Sequence, residues 1–172
     1  MRPLICERKL DGTLHELRAG EMMNAGKQEI PMTLEVVVIP VADVDRSVRF
    51  YQRMGWRLDA DYEAGPEYRV VQLTPPGSKC SIQFGRGVTS VAPGSAQGMC
   101  LVVYDIDRTR VELASVGIDV SDIFHRVYDS GVQEQVDGPD RNSLNYHSFA
   151  TFSDPDGNVW LLQQVQEHLA GR

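Results

Sequence analysis

Apolar and polar residues follow two different periods along this chain, and the same order of periods occurs twice. A nearly continuous β-branched run over residues 34–41 predicts a buried strand. Apolar residues at helical spacing over 44–54 predict a helix with one buried side. Three further strands are predicted over 56–62, 68–73 and 80–84. The first half of the chain therefore has the order β-α-β-β-β.

The second half repeats this order after a linker at residues 85–97, which is rich in glycine, serine and proline. Its last two strands are joined by Asp154-Pro-Asp-Gly-Asn158, a sequence typical of a hairpin turn. The predicted elements are a strand, a helix and three strands, over residues 99–103, 105–116, 118–123, 147–152 and 159–165.

Matching motifs indicate that the two halves are copies of one unit. The segment Val41-Ala-Asp-Val-Asp-Arg-Ser47 recurs as Val103-Tyr-Asp-Ile-Asp-Arg-Thr109, an offset of 62 residues (103 minus 41). The third residue of each copy is an aspartate that is predicted to cap the following helix. The turn at residues 74–77 recurs at 154–157, an offset of 80 (154 minus 74). A fixed order of matching landmarks is the mark of a duplication.

The second copy carries 18 extra residues (80 minus 62), within residues 124–146. Long insertions in compact domains are either mobile decoration or loops that cover a site. We interpret this one as a segment that covers a site. It contains several side chains that bind ligands in other proteins, namely those of His125, Arg126, Tyr128, Arg141 and Tyr146.

The tandem β-α-β-β-β order and the two motifs resemble the vicinal oxygen chelate superfamily over residues 34–165. This group includes glyoxalase I, bleomycin- and fosfomycin-resistance proteins and extradiol dioxygenases. The resemblance implies an α+β domain at 32–172, in which modules 34–84 and 98–165 form curved mixed sheets around a shared cavity. It also implies a homodimer. Residues 1–31 are then an N-terminal extension, either frayed or packed as an arm on a partner subunit.

The resemblance also implies where a divalent metal would be held. The usual ligand positions fall on Val36, Gly98 and Leu161, with the fourth on Gln83, or on Ser81 if the strand is shifted by two residues. Divalent metals in such sites are held by imidazole and carboxylate groups. Three of the four positions lack any side chain that can bind a metal. The sequence therefore predicts that the usual metal site is lost, and no cofactor is expected.

Other residues remain candidates for a site. Strand alternation gives Gln83 and Gln163 equivalent facings, so both amides are predicted to point into the shared cavity. His147 is the candidate general base of a metal-free enzyme. A divalent metal remains possible if its ligands have moved to His125, His147 and Gln83. The predicted ligand-binding residues are Gln83, Gln163, His125, Tyr146, Cys100 and Trp160.

Composition narrows the partners and the compartment. The net charge is −7, and no basic stripe with interleaved aromatic residues occurs, so nucleic acid is excluded as a partner. No apolar run approaches the length of a membrane span, which excludes a membrane partner. Cys6, Cys80 and Cys100 are odd in number and widely spaced, which favours a reducing cytoplasm.

These observations lead to one functional hypothesis and three alternatives. The first is that the protein binds a small, partly apolar organic molecule between its modules without the usual metal. The alternatives are a metal-dependent lyase, isomerase or dioxygenase with relocated ligands, a metal-free enzyme that uses His147, and a sequestering resistance protein. Fold alone does not decide between binding and catalysis.

Overall fold

The computed structural model describes residues 30–129, 132–142 and 145–168, together with two short strands near the N-terminus. These strands, β1 (Lys9–Leu10) and β2 (Thr13–Leu14), pair antiparallel. The chain divides into two units, Met1–Thr33 and Leu34–Arg172. The rest of the predicted extension up to residue 29 lies outside the described residues. The assignment of residues 1–31 as a separate extension stays a prediction.

The first module of the second unit forms a four-stranded sheet with one helix. The strands lie in the order β3-β6-β5-β4, with β3 parallel to β6 and the other neighbours antiparallel. The elements are β3 (Val36–Val38), α1 (Val44–Arg53), β4 (Arg57–Glu63), β5 (Arg69–Thr74) and β6 (Ser81–Arg86).

The second module repeats this topology with one additional strand. Its order is β7-β11-β10-β8-β9, with β7 parallel to β11. The predicted α+β fold with tandem βαβββ modules is therefore confirmed. The elements are β7 (Met99–Val103), α2 (Ile106–Ser115), β8 (Phe124–Asp129), β9 (Val132–Asp137), β10 (Ser148–Ser153) and β11 (Val159–Gln164).

Both helices begin as the duplicated motifs predict, and a glycine follows each of them. The Asp43 side chain accepts a hydrogen bond from Arg46 N at 3.0 Å, and Asp105 accepts one from Arg108 N at 2.9 Å. Each carboxylate thereby satisfies a backbone donor of the first helical turn. Gly55 follows α1 and Gly117 follows α2, both with φ +79°. This left-handed conformation suits glycine because it has no Cβ.

The strand predicted over residues 118–123 is wrong. Only Val120 forms a backbone bridge there, to Phe152, although Ile118 and Ile123 are also buried. Alternating apolar residues indicate that a segment is buried, and here the buried segment does not form a ladder of backbone hydrogen bonds with a neighbouring strand. The second strand of this module is β8, which starts at residue 124. The predicted insertion supplies β9, which pairs with β8 at the edge of the sheet.

The strand predicted over residues 34–41 is shorter and more exposed than expected. It forms only three residues of β3, where Val37 and Val38 expose 37% and 42% of their surface. Its position at the edge of the sheet explains the difference, because an edge strand has a neighbour on one side only. Ile39, just beyond it, is fully buried.

One hydrophobic core joins the two modules. We call the sheet faces that pack on the helices the core faces, and the opposite faces the open faces. Tyr51 of α1 contacts Phe84 of its own module and Trp160 of the other, with ring centroids 5.9 and 6.2 Å apart. Trp56 meets Trp160 edge to face at 5.3 Å. The modules therefore pack through their helix sides. No helix of the described residues is long and apolar enough to cross a membrane.

Candidate functional site

Two cavities lie at the seam, which is the boundary between the modules on their packed side. The larger one, of about 390 Å³, has Trp56 and Pro75 of the first module in its wall and Leu101 and Phe152 of the second. Mostly apolar walls with a few polar groups are typical of small-molecule pockets. The larger cavity therefore has the size and the lining of a site for a small organic ligand.

The smaller cavity, of about 270 Å³, shares Pro75 and Leu101 with the larger one. Its wall includes Ser81 of β6, Cys100 of β7 and Trp160 of β11. Two of the predicted ligand-binding residues, Cys100 and Trp160, thus lie in one cavity that both modules line.

The other predicted site residues do not line either cavity, although two of them reach the smaller one through hydrogen bonds. Gln163 Oε1 accepts a hydrogen bond from Cys100 Sγ at 3.7 Å. On the other module, Gln83 is connected to Ser81 through Gln72. The two amides therefore flank the smaller cavity from opposite modules. Their ligand-binding roles stay predictions.

A chain of hydrogen bonds crosses the open face of the first sheet. Gln83 Nε2 donates to Gln72 Oε1 at 2.9 Å, and Gln72 Nε2 donates to Ser81 Oγ at 3.1 Å. The Ser81 and Thr74 hydroxyl oxygens lie 2.7 Å apart, and both side chains are buried. Gln72 is not among the residues that the sequence predicts for the site. The hairpin turn after residue 74 could have identified it, because the turn places Gln72 opposite Gln83.

A charged pair at the end of this hydrogen-bond chain determines which group donates and which accepts at each of its bonds. The Thr74 hydroxyl donates to the Asp59 carboxylate, and Arg57 Nε donates to the same group at 2.5 Å. The hydrogen bonds from Arg57 and Thr74 hold the pKa of Asp59 below its usual value, so that the carboxylate remains an acceptor. Because Thr74 gives its only proton to Asp59, its oxygen accepts the proton of Ser81. Gln83 Oε1 is left as an acceptor without a donor among the described residues.

On the second module, Gln163 is held by the segment before β10. Its Nε2 donates to the Tyr146 carbonyl oxygen at 2.9 Å, while Tyr146 N donates to the Gln164 carbonyl oxygen at 2.8 Å. Tyr146 has φ 63°, an uncommon conformation for a residue with a side chain. The Tyr146 backbone therefore orients the Gln163 amide, and the ligand-binding role predicted for Tyr146 stays a prediction.

The predicted histidines lie apart from both cavities. His125 Nδ1 is 2.8 Å from the Gly138 carbonyl oxygen, which can only accept, so this nitrogen carries the proton. Strand pairing with Ser148 puts His125 on the core face of its sheet. His147 Nδ1 is 3.5 Å from Asp140 Oδ2. His125 is on a core face whereas Gln83 is on the open face of the other sheet, so the relocated ligand set of His125, His147 and Gln83 does not form one cluster.

The usual metal positions can be compared through strand register. Val36 pairs with Ser81 in the first module, and Cys100 pairs with Leu161 in the second. Ser81 and Leu161 are equivalent positions, because each lies four residues after the glycine of its hairpin turn. Their partners Val36 and Cys100 are therefore equivalent too, which offsets the first strands by 64 residues (100 minus 36), whereas the helix caps are offset by 62 (105 minus 43). Since the first module has two more residues between its strand and its helix, the counterpart of Val36 is Cys100 instead of Gly98.

The resulting donor set does not fit a divalent ion. Val36, Ser81, Cys100 and Leu161 provide neither imidazole nor carboxylate, which are the groups that hold such ions in nitrogen- and oxygen-rich sites. Within the described ranges, no group of three or more histidine, cysteine, aspartate or glutamate side chains could hold a metal ion. The chemistry of the site therefore has to be considered through its amides, hydroxyls and aromatic rings.

A buried polar cluster holds the seam together. The Tyr51 hydroxyl donates to Asp154 Oδ2 at 2.9 Å and accepts a hydrogen bond from Trp160 Nε1 at 3.1 Å. Asn158 Nδ2 donates to the same Asp154 oxygen at 2.7 Å. Burial, and then the adjacent Asp154 carboxylate, raise the pKa of Tyr51 well above its usual value, so the phenol keeps its proton. The sequence identifies Asp154 and Asn158 only as turn residues.

The chain is similar to a family model and to several known proteins. A family model for the glyoxalase/bleomycin resistance protein/dioxygenase superfamily matches residues 33–162. TnmS3, an antibiotic binding protein from Streptomyces sp. CB03234, is 29% identical, and the match covers 80% of this chain and 99% of that one with a TM-score of 0.60. A glyoxalase/bleomycin resistance protein from the same organism is 30% identical, over 77% of this chain and 100% of that one, with a TM-score of 0.56. The uncharacterized protein YetH of Bacillus subtilis (strain 168) is 24% identical over 129 residues, which are 74% of this chain and 94% of YetH.

Proposed function

Because the chain belongs to the glyoxalase/bleomycin resistance protein/dioxygenase superfamily, we propose that it binds a small, partly apolar organic molecule at the seam without the usual divalent metal. The observation that carries this proposal is the pair of adjoining cavities, which both modules line and whose walls include Trp56, Leu101 and Trp160. The similarity to an antibiotic binding protein supports the same class of ligand. The sequence-based hypothesis of small-molecule binding is retained in this form.

Within this proposal, each group at the seam has a distinct role. Trp160 and Cys100 contact the ligand in the smaller cavity. Gln83 and Gln163, which do not line this cavity, orient a polar part of the ligand that extends beyond the cavity over the open faces. Because the hydrogen-bond chain that ends at Asp59 uses the amide nitrogen of Gln83 as a donor to Gln72, the Gln83 amide oxygen accepts an O–H or N–H group of the ligand.

The proposal is tested with N-phenyl-1-naphthylamine, a neutral fluorescent probe that carries one N–H donor. Trp56 and Trp160 are the two tryptophans of the chain and both lie at the seam, so energy transfer from them reports that the probe is bound to the protein. We expect saturable energy transfer in the presence of EDTA. Absence of saturable transfer, or transfer that requires an added metal, would contradict the proposal.

A matched pair of variants locates the probe. Leu101 lies in the walls of both cavities, and Leu101→Phe fills part of each, so the affinity should fall by about tenfold. Leu58→Phe makes the same change on an exposed residue of β4 outside both walls, and the affinity should stay that of the wild type. Equal affinities in the two variants would place the probe elsewhere.

We also propose that two copies associate through the edge strands β3 and β7. Edge strands present unpaired backbone groups, and Val38 and Val102 on these strands expose 42% and 51% of their surface. A second copy that pairs with these edges would cover both valines. Sedimentation velocity should give the mass of a dimer, and the mass of a monomer at all concentrations would exclude this association.

A cytoplasmic location is part of the same proposal. Cys80 is a free thiol, which suits a reducing compartment, and Cys6 lies outside the described residues. Thiol titration of denatured protein that was purified under alkylating conditions should find all three cysteines of the chain reduced. A disulfide in that material would argue against the cytoplasm.

A second candidate function, metal-free catalysis, is favoured by one contact. Asp140 lies close enough to His147 Nδ1 to orient the imidazole, as carboxylates do for general bases in other enzymes. Half of the His147 side chain is exposed, so a substrate can approach the other ring nitrogen. His147→Ala should abolish turnover of a substrate without changing the thermal midpoint. Turnover that survives in this variant would remove His147 from the mechanism.

A further inference from the structure

Arg126 lies on the open face of the second sheet, above two aromatic rings. Its guanidinium carbon is 4.7 Å from the ring centroid of Phe149 and 5.9 Å from that of Phe124. The two rings are buried and stack with centroids 5.7 Å apart and planes inclined by 27°. The rings therefore form a fixed platform that holds the guanidinium of the half-buried Arg126 through cation–π contacts.

No acidic side chain of the described residues balances the charge of Arg126. Among the described residues, no carboxylate lies within 4 Å of its guanidinium. Asp137 of β9 lies opposite Phe124 on the same open face, and its carboxylate does not reach the Arg126 guanidinium. Other arginines of the chain do form ion pairs with carboxylates, namely Arg46, Arg57, Arg69, Arg86, Arg108 and Arg110.

The arrangement has the chemistry of an anion site. Stacking uses the flat side of a guanidinium and leaves the N–H groups at its edge for an acceptor, which a carboxylate meets with two parallel hydrogen bonds. Gln163 lies directly opposite Phe149 on the adjacent strand and brings an amide to the same face. Because the Phe149 ring is buried beneath the guanidinium, a flat ligand would stack on the opposite flat side of the guanidinium, as arginine does on aromatic rings.

We propose that Arg126 and the Phe124–Phe149 platform form a binding site for planar aromatic carboxylates. None of these three residues lines a seam cavity, so the site goes beyond the proposed function, and it does not require the Gln163 amide to which that function assigns a role. The net charge of −7 repels anions from the molecule as a whole. Any preference for an anion must therefore arise from a local cation.

The test compares 2-naphthoate with 2-naphthamide, a neutral molecule of nearly the same shape, by NMR titration of ¹⁵N-labelled full-length protein. We expect 2-naphthoate to bind at least about tenfold more tightly, and the Arg126 Nε–H resonance to shift with it. Arg126→Gln should bind the two probes equally. Arg126→Met keeps an unbranched stem over the rings and should behave in the same way if the glutamine variant folds poorly.

Arg49→Gln is the matched control, because it removes one positive charge from an exposed position on α1. It should keep the preference for 2-naphthoate. Equal affinities in the wild type, no binding of 2-naphthoate, a preference that survives in both Arg126 variants, or a preference lost in Arg49→Gln would each overturn the proposal.

Discussion

Replacing Tyr51 by phenylalanine should destabilise the protein by about 3 kcal/mol through the loss of one hydroxyl group. The ring contacts with Trp56 and Phe84, at 4.7 and 5.9 Å between centroids, remain because phenylalanine keeps the ring. The change therefore isolates the polar part of the seam. Tyr51 is fully buried, so water does not replace the missing group.

The magnitude follows from the two hydrogen bonds of the hydroxyl. Its bond to the Asp154 carboxylate, at 2.9 Å, has a charged acceptor, and such bonds contribute about 1.5–3 kcal/mol. Trp160 Nε1 loses its acceptor, and a buried donor without a partner costs about 1–3 kcal/mol. The two effects overlap because they share one oxygen, so their sum is an upper bound and about 3 kcal/mol is a central value.

Guanidinium unfolding measured by tryptophan fluorescence gives this difference directly, since Trp56 and Trp160 both adjoin the substituted ring. Tyr62→Phe is the matched control, because Tyr62 is exposed on β4 and the same substitution there should change stability by less than about 0.5 kcal/mol. If Tyr51→Phe stayed within that small range as well, the cluster would not hold the modules together and this reasoning would be refuted.

Two further predictions concern the backbone and acid stability. Gly94 and Gly98 have nearly the same φ, +78° and +77°, but a Cβ at Gly94 would lie 2.0 Å from the Asp156 carbonyl oxygen while one at Gly98 meets nothing. Thermal unfolding should therefore show a larger loss of stability for Gly94→Ala than for Gly98→Ala, which should lose only about 1 kcal/mol. Equal losses of stability would contradict the close contact. Hydrogen bonds from Arg69 lower the pKa of Asp61. The stabilising effect of this pair is therefore present above the unfolded pKa of 3.8 and is lost as the pH falls through the lower pKa of the folded protein. Asp61→Asn should therefore reduce stability near neutral pH and have little effect in strong acid, and a pH-independent difference in urea unfolding would argue against that pair.

The sequence predicts most of the fold because the relevant signals are local. The caps at Asp43 and Asp105 act on backbone groups three residues away, and the turn at 154–157 closes a hairpin of adjacent strands. The duplication then supplies the arrangement that local patterns cannot give. This is why the order of elements is correct in the first module, while in the second the apolar run over 118–123 is misinterpreted as a strand and the additional strand β9 is missed.

The candidate site is less predictable because its contacts join distant parts of the chain. The Tyr51–Asp154 bond links residues 103 positions apart, and neither residue type nor spacing indicates it. The counterpart of Val36 is displaced from Gly98 to Cys100 by a difference in loop length that only strand pairing reveals. The equivalent facing of Gln83 and Gln163 is predictable from alternation, whereas the protons that orient Gln83 depend on Asp59, on another strand.

The central claim is that this member of the superfamily binds its ligand without the usual metal. The most direct test is the divalent metal content, measured by mass spectrometry, of protein that was purified without chelator and without a metal-binding tag. We expect well below about 0.1 divalent ions per chain, because Val36, Ser81, Cys100 and Leu161 offer no imidazole or carboxylate. About one tightly bound ion per chain would contradict the claim, because a structural or catalytic metal site is stoichiometric.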